Sequence, residues 1–468
     1  MSAGSSAGPT RVPKTLAGAP VTVMGLGLFG GGVSAARWLV RRGARVTVTD
    51  LRDADTLAQA LEDLGDLDVR LVLGEHRQED FVGAALVVAN PAVPPASPWL
   101  QSARAAGVLV SSEMELFLRH CRGHLVLVTG TQGKSSTAHM LAQLLEQGGR
   151  KVRLGGNLGA PLLEHVEEIE AHEWCVVELS SYQLEALPDP FGTDRDPAPR
   201  VAAVAVTNVL ADHLERHGTP RAYAAAKARI LELLAPEGTA WVPPDLANSD
   251  LFRARLPAGT CFRTHGPGAE LRRAQGTFLL GEEVLGLARE LTLVGTFQRD
   301  NACLALGLAR SLGVAADTLA AHVGRLRGLP HRCEPLPDRD GRAVLDNGVS
   351  TTPDSTLSAL ESVQGTCTLL VGGQLKRDLP LTQLARAVAA RGARAVAFGS
   401  GAGELAEAFA DAGAMVEAVD TLQEAVTRGW AATPRGGTLL FSPACASFDA
   451  YPNFQARALA FRAALETA

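Results

Sequence analysis

A lysine followed by two serines, Lys134-Ser135-Ser136, stands directly behind a short glycine-bearing turn, Gly130-Thr131-Gln132-Gly133. Backbone N–H groups in such a turn can point at phosphate oxygens, backed by the positive end of the helix that follows. Lys134 is then placed to reach the β- and γ-phosphates of a nucleotide, and the Ser135 hydroxyl to ligate Mg²⁺. The loop is shorter than the usual GxxxxGK[ST] cradle, but it keeps both the lysine and the hydroxyl. Glu178 is the next candidate. It follows the apolar run Trp174-Cys-Val-Val177, and an acid at a strand end beside a phosphate loop is where a Mg²⁺-holding carboxylate belongs. Lys227 falls four residues after Tyr223 and four before Leu231, on the apolar face of a helix. An inward-facing lysine is unusual. It is one of only five lysines (Lys14, Lys134, Lys151, Lys227, Lys376) among 44 basic residues, so the position points to a need for an amine rather than a guanidinium, with His213 nearby.

The elements that must position these side chains alternate between strand and helix. The run Leu125–Val128 reads as a buried strand, and Ala138, Met140, Leu141, Leu144 and Leu145 repeat at helical spacing behind the loop. Upstream, strand Pro20–Met24 leads into Gly25-Leu-Gly-Leu-Phe-Gly30 and a helix to about Arg42; strand Arg45–Thr49 then ends at Asp50. This is a dinucleotide-type fingerprint, in which glycines admit a diphosphate and the acid meets a ribose. Strand Leu86–Ala89 runs into the loop Asn90–Pro95. Strand Val201–Val206 ends in Thr207-Asn-Val-Leu-Ala-Asp212-His213, and Thr219-Pro220 caps a helix expected to run to about Leu234. From Leu329 the alternation resumes, with strands Ala343–Leu345, Thr368–Val371, Ala395–Phe398 and Thr438–Phe441, the last followed by a loop at Ser442–Ser447. The pattern is α/β in three domains. A Rossmann-like domain spans 20–120, a P-loop ATPase-like domain with a mostly parallel sheet spans 121–328, and a second Rossmann-like domain spans 329–468, all behind a loose tail at 1–19.

At 468 residues, with 46% hydrophobic and 20% charged residues, the chain reads as a well-packed soluble protein of several domains. The net charge of −6 gives no reason to expect a nucleic-acid partner. No apolar run approaches a membrane span, and the first twenty residues lack the apolar core of a signal peptide, so a cytoplasmic location is expected. Cys121, Cys175, Cys261, Cys303, Cys333, Cys367 and Cys445 form no CxxC pair and are expected as buried thiols in a reducing compartment.

Together these motifs resemble those of the Mur ligases, the ATP-dependent amino-acid ligases of bacterial cell-wall precursor synthesis. GTQGKSS is similar to the family's GTNGKST loop. GGNLG, ELSSYQLE, TNVLADHLERH with Lys227, GLPHR and LLVGG with Lys376 follow in the family's order, across nearly the whole chain from Gly25 to Phe461. The closing SPACASFDAYPNFQAR resembles the D-glutamate-adding branch.

The resemblance implies an acyl-phosphate mechanism. ATP phosphorylates the terminal carboxylate of UDP-N-acetylmuramoyl-L-alanine, and the amine of D-glutamate then displaces phosphate. Gly130, Thr131, Gln132, Gly133, Lys134, Ser135, Ser136, Asn301 and Arg332 would hold ATP. One Mg²⁺ would sit on Ser135 and Glu178, and a second on His213 and a carbamylated Lys227. Gly25, Leu26, Phe29, Asp50 and Arg52 would cradle the UDP, and Asn157 would contact the muramoyl substrate. Thr351, Lys376, Ser447 and Phe454 would form the D-glutamate site. The enzyme is expected to act as a monomer. Three positions depart from the family pattern: Asp346-Asn-Gly stands where NDS is usual, Phe297-Gln298 where HN is usual, and Asn90-Pro-Ala where SPG is usual. Three rival readings make different predictions. A related ligase would use another amino acid, a nicotinamide-dependent dehydrogenase would bind NADH, and a non-catalytic nucleotide-binding protein would hold ATP without turnover.

Overall fold

The computed structural model describes residues 15–27, 30–157, 161–188, 200–376 and 379–468. Most of the expected tail, Phe29 and the end of the GGNLG segment lie outside them. The chain divides into two compact units, Met1–Leu287 with Asn301–His322 and Ala288–Asp300 with Val323–Ala468.

The first unit holds two parallel sheets and a small antiparallel one. Strands β1 (Pro20–Met24), β2 (Arg45–Asp50), β3 (Val69–Leu73), β4 (Leu86–Ala89) and β5 (Leu109–Ser111) lie in the order β3-β2-β1-β4-β5. The strand order reverses between β1 and β4, whose carboxyl ends carry Gly25 and Asn90, and a crevice for a ligand opens at such a switch point. Strands β6 (His124–Thr129), β7 (Val152–Gly156), β8 (Trp174–Glu178), β9 (Arg200–Val206), β10 (Thr239–Val242) and β11 (Cys261–Thr264) form the second sheet in the order β11-β10-β9-β6-β8-β7. Leu125, Val126, Leu127 and Val128 are all fully buried, because a parallel sheet covered on both faces needs an unbroken apolar run rather than alternation. Each such side chain contributes about 1.5–3 kcal/mol. One continuous core joins both sheets, from Val21 and Trp38 to Leu127 and Ile230. Polar contacts reinforce the join. The Trp38 indole N–H donates to Glu167 at 2.9 Å, and the Arg216 guanidinium donates to the carbonyls of Pro91, Ala92 and Val93. A third sheet, β12 (Leu271–Ala274), β13 (Thr277–Leu280) and β14 (Glu283–Leu287), is antiparallel and carries no sequence signal of the kind that marked the other two.

The second unit is built on β15 (Glu334–Arg339), β16 (Arg342–Asp346), β17 (Cys367–Gly372), β18 (Arg394–Phe398), β19 (Met415–Ala418) and β20 (Thr438–Ala444), in the order β15-β16-β20-β17-β18-β19. Only β15 runs antiparallel; it carries Pro335 and Pro337, which an edge strand tolerates.

Three local expectations are corrected. The helix opened by Pro220 ends at Ala228 and tightens into a 3₁₀ turn over Arg229–Leu233, instead of continuing to Leu234. Ser442-Pro-Ala444 is not loop but the end of β20, drawn into the sheet by pairing of Ala444 with Gly372. Cys261 is exposed, unlike the other six thiols. Among the described residues, no helix is long and apolar enough to cross a membrane.

Candidate active site

The loop after β6 takes the cradle form, and two glycines make it possible. Gly133 has φ 81°, and a Cβ there would lie 2.3 Å from Asn301 Oδ1; at Gly130 it would lie 1.9 Å from Thr207 Oγ1. Only glycine fits either position. The helix Lys134–Gln147 starts directly behind the loop, and its first-turn amides have no acceptor within the helix, which leaves them for an anion. The expected fan of donors is narrower than the sequence implied. The Thr131 amide donates to the Asn208 carbonyl at 2.9 Å and the Gln132 amide to Asn208 Oδ1 at 3.0 Å, so both are already used to brace the loop against the end of β9. Thr207 Oγ1 donates to the Gln132 carbonyl, and Thr131 Oγ1 meets the Tyr223 hydroxyl at 3.1 Å. Lys134 Nζ donates to the Thr131 carbonyl at 2.9 Å, and Ser136 is buried.

Glu178 ends β8 beside the loop and is 1% exposed. Its two carboxylate oxygens accept from Ser135 Oγ at 2.5 Å and from Asn157 Nδ2 at 3.0 Å. A hydroxyl beside a carboxylate in this arrangement suits a hard cation such as Mg²⁺. Lys227 is 1% exposed; its Nζ donates to the Gly130 carbonyl at 2.6 Å and lies 4.5 Å from the centre of the Tyr223 ring. Burial, with the neighbouring charge of Lys134, pushes its pKa down to about 7, against opposing pulls from Asp212 and Glu178. His213 stands in the left-handed region at φ 50°, half-exposed, with Nδ1 3.3 Å from Glu215 Oε1. Lys134, Asn157, Asp212, His213, Tyr223 and Lys227 all line one cavity of about 520 Å³, which also reaches Gly25, Gly31, Gly32 and Asn90 of the first sheet.

A neighbouring cavity of about 410 Å³ is lined by Gly25, Gly27, Asp50, Arg52, His76 and Asn90. Asp50 is held by the Arg52 amide at 3.0 Å and the Gly27 amide at 3.4 Å. Leu26, expected to join the UDP cradle, is instead fully buried in the core and lines neither cavity, because its side chain packs among the apolar residues beneath the sheet.

In the second unit, the loops after β16, β17 and β20 come together. Lys376 Nζ lies 3.5 Å from Thr351 Oγ1, Ser447 is buried, and Phe454 opens the helix Phe454–Glu466, whose first turn is capped by the Asn453 side chain at 2.8 Å. Arg457, fully buried, donates to the carbonyls of Gly372, Ala446 and Ser350 and so ties all three loops. Arg332 is half-buried, and its carbonyl accepts from Gln298 Nε2 at 3.4 Å. The departures at 346–347 are absorbed internally. Asp346 is fully buried against His331 Nδ1 (2.7 Å) and Arg462 Nε (2.8 Å), while Asn347 accepts from the Cys333 amide and donates to Ser442.

Sequence reasoning missed Asn208, Tyr223, Asp212 and Arg457. The first three belong to segments that were singled out for their neighbours, and Arg457 sits in the closing motif without an evident job until its carbonyl partners are known.

Comparison with known proteins gives two family matches, the Mur ligase middle domain over residues 128–309 and the MurD-like N-terminal domain of Mur ligases over residues 19–112. A UDP-N-acetylmuramoylalanine–D-glutamate ligase of Roseiflexus sp. (strain RS-1) is 35% identical over 97% of this chain and 99% of its own length. Proteins of the same description from Geobacter metallireducens and Myxococcus xanthus are 36% and 35% identical, over 95% and 97% of this chain and 96% and 99% of their own lengths. Among solved structures, the UDP-N-acetylmuramate-alanine ligase MurC of Thermotoga maritima superposes with a TM-score of 0.59 at 18% identity, covering 96% of this chain and 99% of that one. The MurF ligase of the same organism, in complex with ADP, gives 0.55 at 18% identity, over 97% and 96% of the two chains.

Proposed function

The chain belongs to the Mur ligase family, and from that premise we propose that it joins D-glutamate to the terminal carboxylate of UDP-N-acetylmuramoyl-L-alanine, using ATP, in the synthesis of cell-wall precursors. The observation that carries this reading is the single cavity that unites the switch-point glycines of the first sheet with Lys134, Asn157, His213 and Lys227 of the second. A nucleotide-linked acid bound with its diphosphate at the glycines has its far carboxylate directed toward the phosphate loop.

Lys134 and the first-turn amides of its helix bind the ATP phosphates and neutralise charge as the carboxylate oxygen attacks the γ-phosphorus and the bond to ADP breaks. Ser135 and Glu178 would hold one Mg²⁺, and His213 with a carbamylated Lys227 a second; bound magnesium supplies further charge neutralisation at the phosphoryl oxygens. Carbamylation joins the neutral amine of Lys227 to CO₂ and releases a proton. A pKa near 7 supports it, and the remaining N–H can keep its bond to Gly130. Gly25, Asp50 and Arg52 cradle the UDP, and Asn157 orients the muramoyl end. Asn301, packed on Gly133, and Arg332 contribute to ATP binding. In the second unit, Lys376 pairs with a carboxylate of D-glutamate beside Thr351, Ser447 and Phe454. The amine attacks the acyl phosphate, and the tetrahedral intermediate expels phosphate to leave the amide. The three domains at 20–120, 121–328 and 329–468 thus carry UDP, ATP and amino-acid binding, in a cytoplasmic monomer.

Phosphate release from MgATP tests the proposal, measured with UDP-N-acetylmuramoyl-L-alanine and a panel of L- and D-amino acids. Release that needs both the muramoyl substrate and D-glutamate is expected. Release driven by a different amino acid would overturn the D-glutamate assignment, and ATP binding without any release would overturn catalysis.

A further inference from the structure

Glu113 opens the helix Glu113–His120 at the end of β5 and takes no part in the chemistry above. It is 9% exposed, it forms part of the wall of the 520 Å³ cavity, and among the described residues its Oε1 has no hydrogen-bond partner. Buried carboxylate oxygens are as a rule hydrogen-bonded, so this one is suited to receive a donor from a ligand in the cavity. Burial pushes the carboxyl up to about 7, and only the Leu163 amide pulls the other way. The other charged or titratable groups of the cavity, Lys134, Asp212, His213, Tyr223 and Lys227, are assigned to the phosphate and metal end or stand beside it, and Tyr182 joins them through its contact with His213.

We propose that Glu113 is a substrate-binding residue whose Oε1 accepts a hydrogen bond from an N–H or O–H group of the sugar–amide segment of the nucleotide-linked substrate. This rests on the ligase reading. With the diphosphate at Gly25, Gly31 and Gly32 and the reacting carboxylate at Lys134, the segment that spans the cavity between them is the sugar and its amides. That segment is uncharged and rich in donors. A diphosphate or a carboxylate has no proton to give to Oε1; an N–H or O–H donor satisfies it.

The test compares equilibrium binding of UDP and of UDP-N-acetylmuramoyl-L-alanine to the wild-type chain, to Glu113→Met, which keeps the volume but has no acceptor, and to Glu113→Gln, which keeps one. The expected result is unchanged UDP affinity in all three, which also reports intact folding. Affinity for the full substrate falls by about tenfold or more in Glu113→Met and by less in Glu113→Gln, as loss of one bond to a buried acceptor implies. KM for the muramoyl substrate rises in step, while KM for ATP stays constant. Equal affinity of wild type and Glu113→Met for the full substrate would overturn the proposal and leave the ligase reading intact. Equal losses for UDP and full substrate would overturn it as well, because the effect would then be structural. A wild-type chain that binds UDP but not the muramoyl compound would sink the ligase reading itself.

Discussion

Two buried ionisable side chains, Lys227 and Glu113, are held away from their ordinary protonation, and each has a measurable consequence. Lys227 is kept near neutrality by burial and by Lys134, so an arginine, always charged and without a reactive amine, cannot replace it. Both Lys227→Ala and Lys227→Arg should lose about three orders of magnitude or more in turnover, and small carboxylates such as acetate should partly restore the alanine variant only. Full activity in Lys227→Arg would end the carbamate reading. For Glu113 the folded pKa, about 7, lies above the unfolded value of 4.5, so the folded state binds more protons between them. Its favourable contribution is complete below about pH 4.5 and is lost as pH rises through 7, by about 3 kcal/mol at most. Between pH 5 and pH 8 the wild-type melting temperature should therefore fall relative to that of Glu113→Gln. Parallel melting curves across that range would show that the carboxyl is not held protonated.

At the scale of elements, the phosphate loop depends on the strand beside it. The segment after β9 supplies Asn208, whose backbone carbonyl and side chain take up the amides of Thr131 and Gln132. Those two bonds fix the loop before any nucleotide arrives, leaving the helix N-terminus as its anion site. Asn208→Ala removes both side-chain bonds to Gln132, one to its amide and one to its carbonyl, and should lower kcat/KM for ATP by about tenfold or more, with affinity for the UDP substrate unchanged. An equal effect on both substrates would show that the residue supports the fold rather than the loop. Arg457 plays the corresponding part in the second unit. Among the described residues it is a cation bound by three carbonyls with no hydrogen-bonded carboxylate, and burial lowers its pKa to about 10 against the opposing pull of Asp449.

At the scale of the molecule, the division into two compact units predicts that damage to one is felt there first. Asp346 has no exposed surface and relies on Arg462, 116 residues further along the chain, for its charge partner. Removing one member of a buried pair costs about 3–5 kcal/mol; with Arg462 part-exposed and His331 and the Gly348 amide still in place, the low end applies. Arg462→Met should therefore raise hydrogen exchange in peptides from 323–468 while leaving the protection of β6, β8 and β9 as it was. Equal loss in both units would mean that they unfold as one.

What the sequence by itself determined is whatever depends on near neighbours along the chain. Unbroken apolar runs marked the buried parallel strands, and glycine, lysine and serine in series marked the phosphate cradle. Helical spacing turned Lys227 inward, and ordered motifs marked the family. Spacing of this kind is set by local geometry, 3.6 residues per turn or alternate faces of a strand, and so can be read without the fold. The tertiary structure alone decided what chain closure brings together. It joined Asn157 to Glu178, gave two loop amides to Asn208, and gathered three loops on Arg457. It also drew Ser442–Ala444 into a strand and left one oxygen of Glu113 without a donor, among the described residues, in a cavity wall. A buried polar group must find its partner wherever the fold places one, and across tens to hundreds of residues that partner has no local signature.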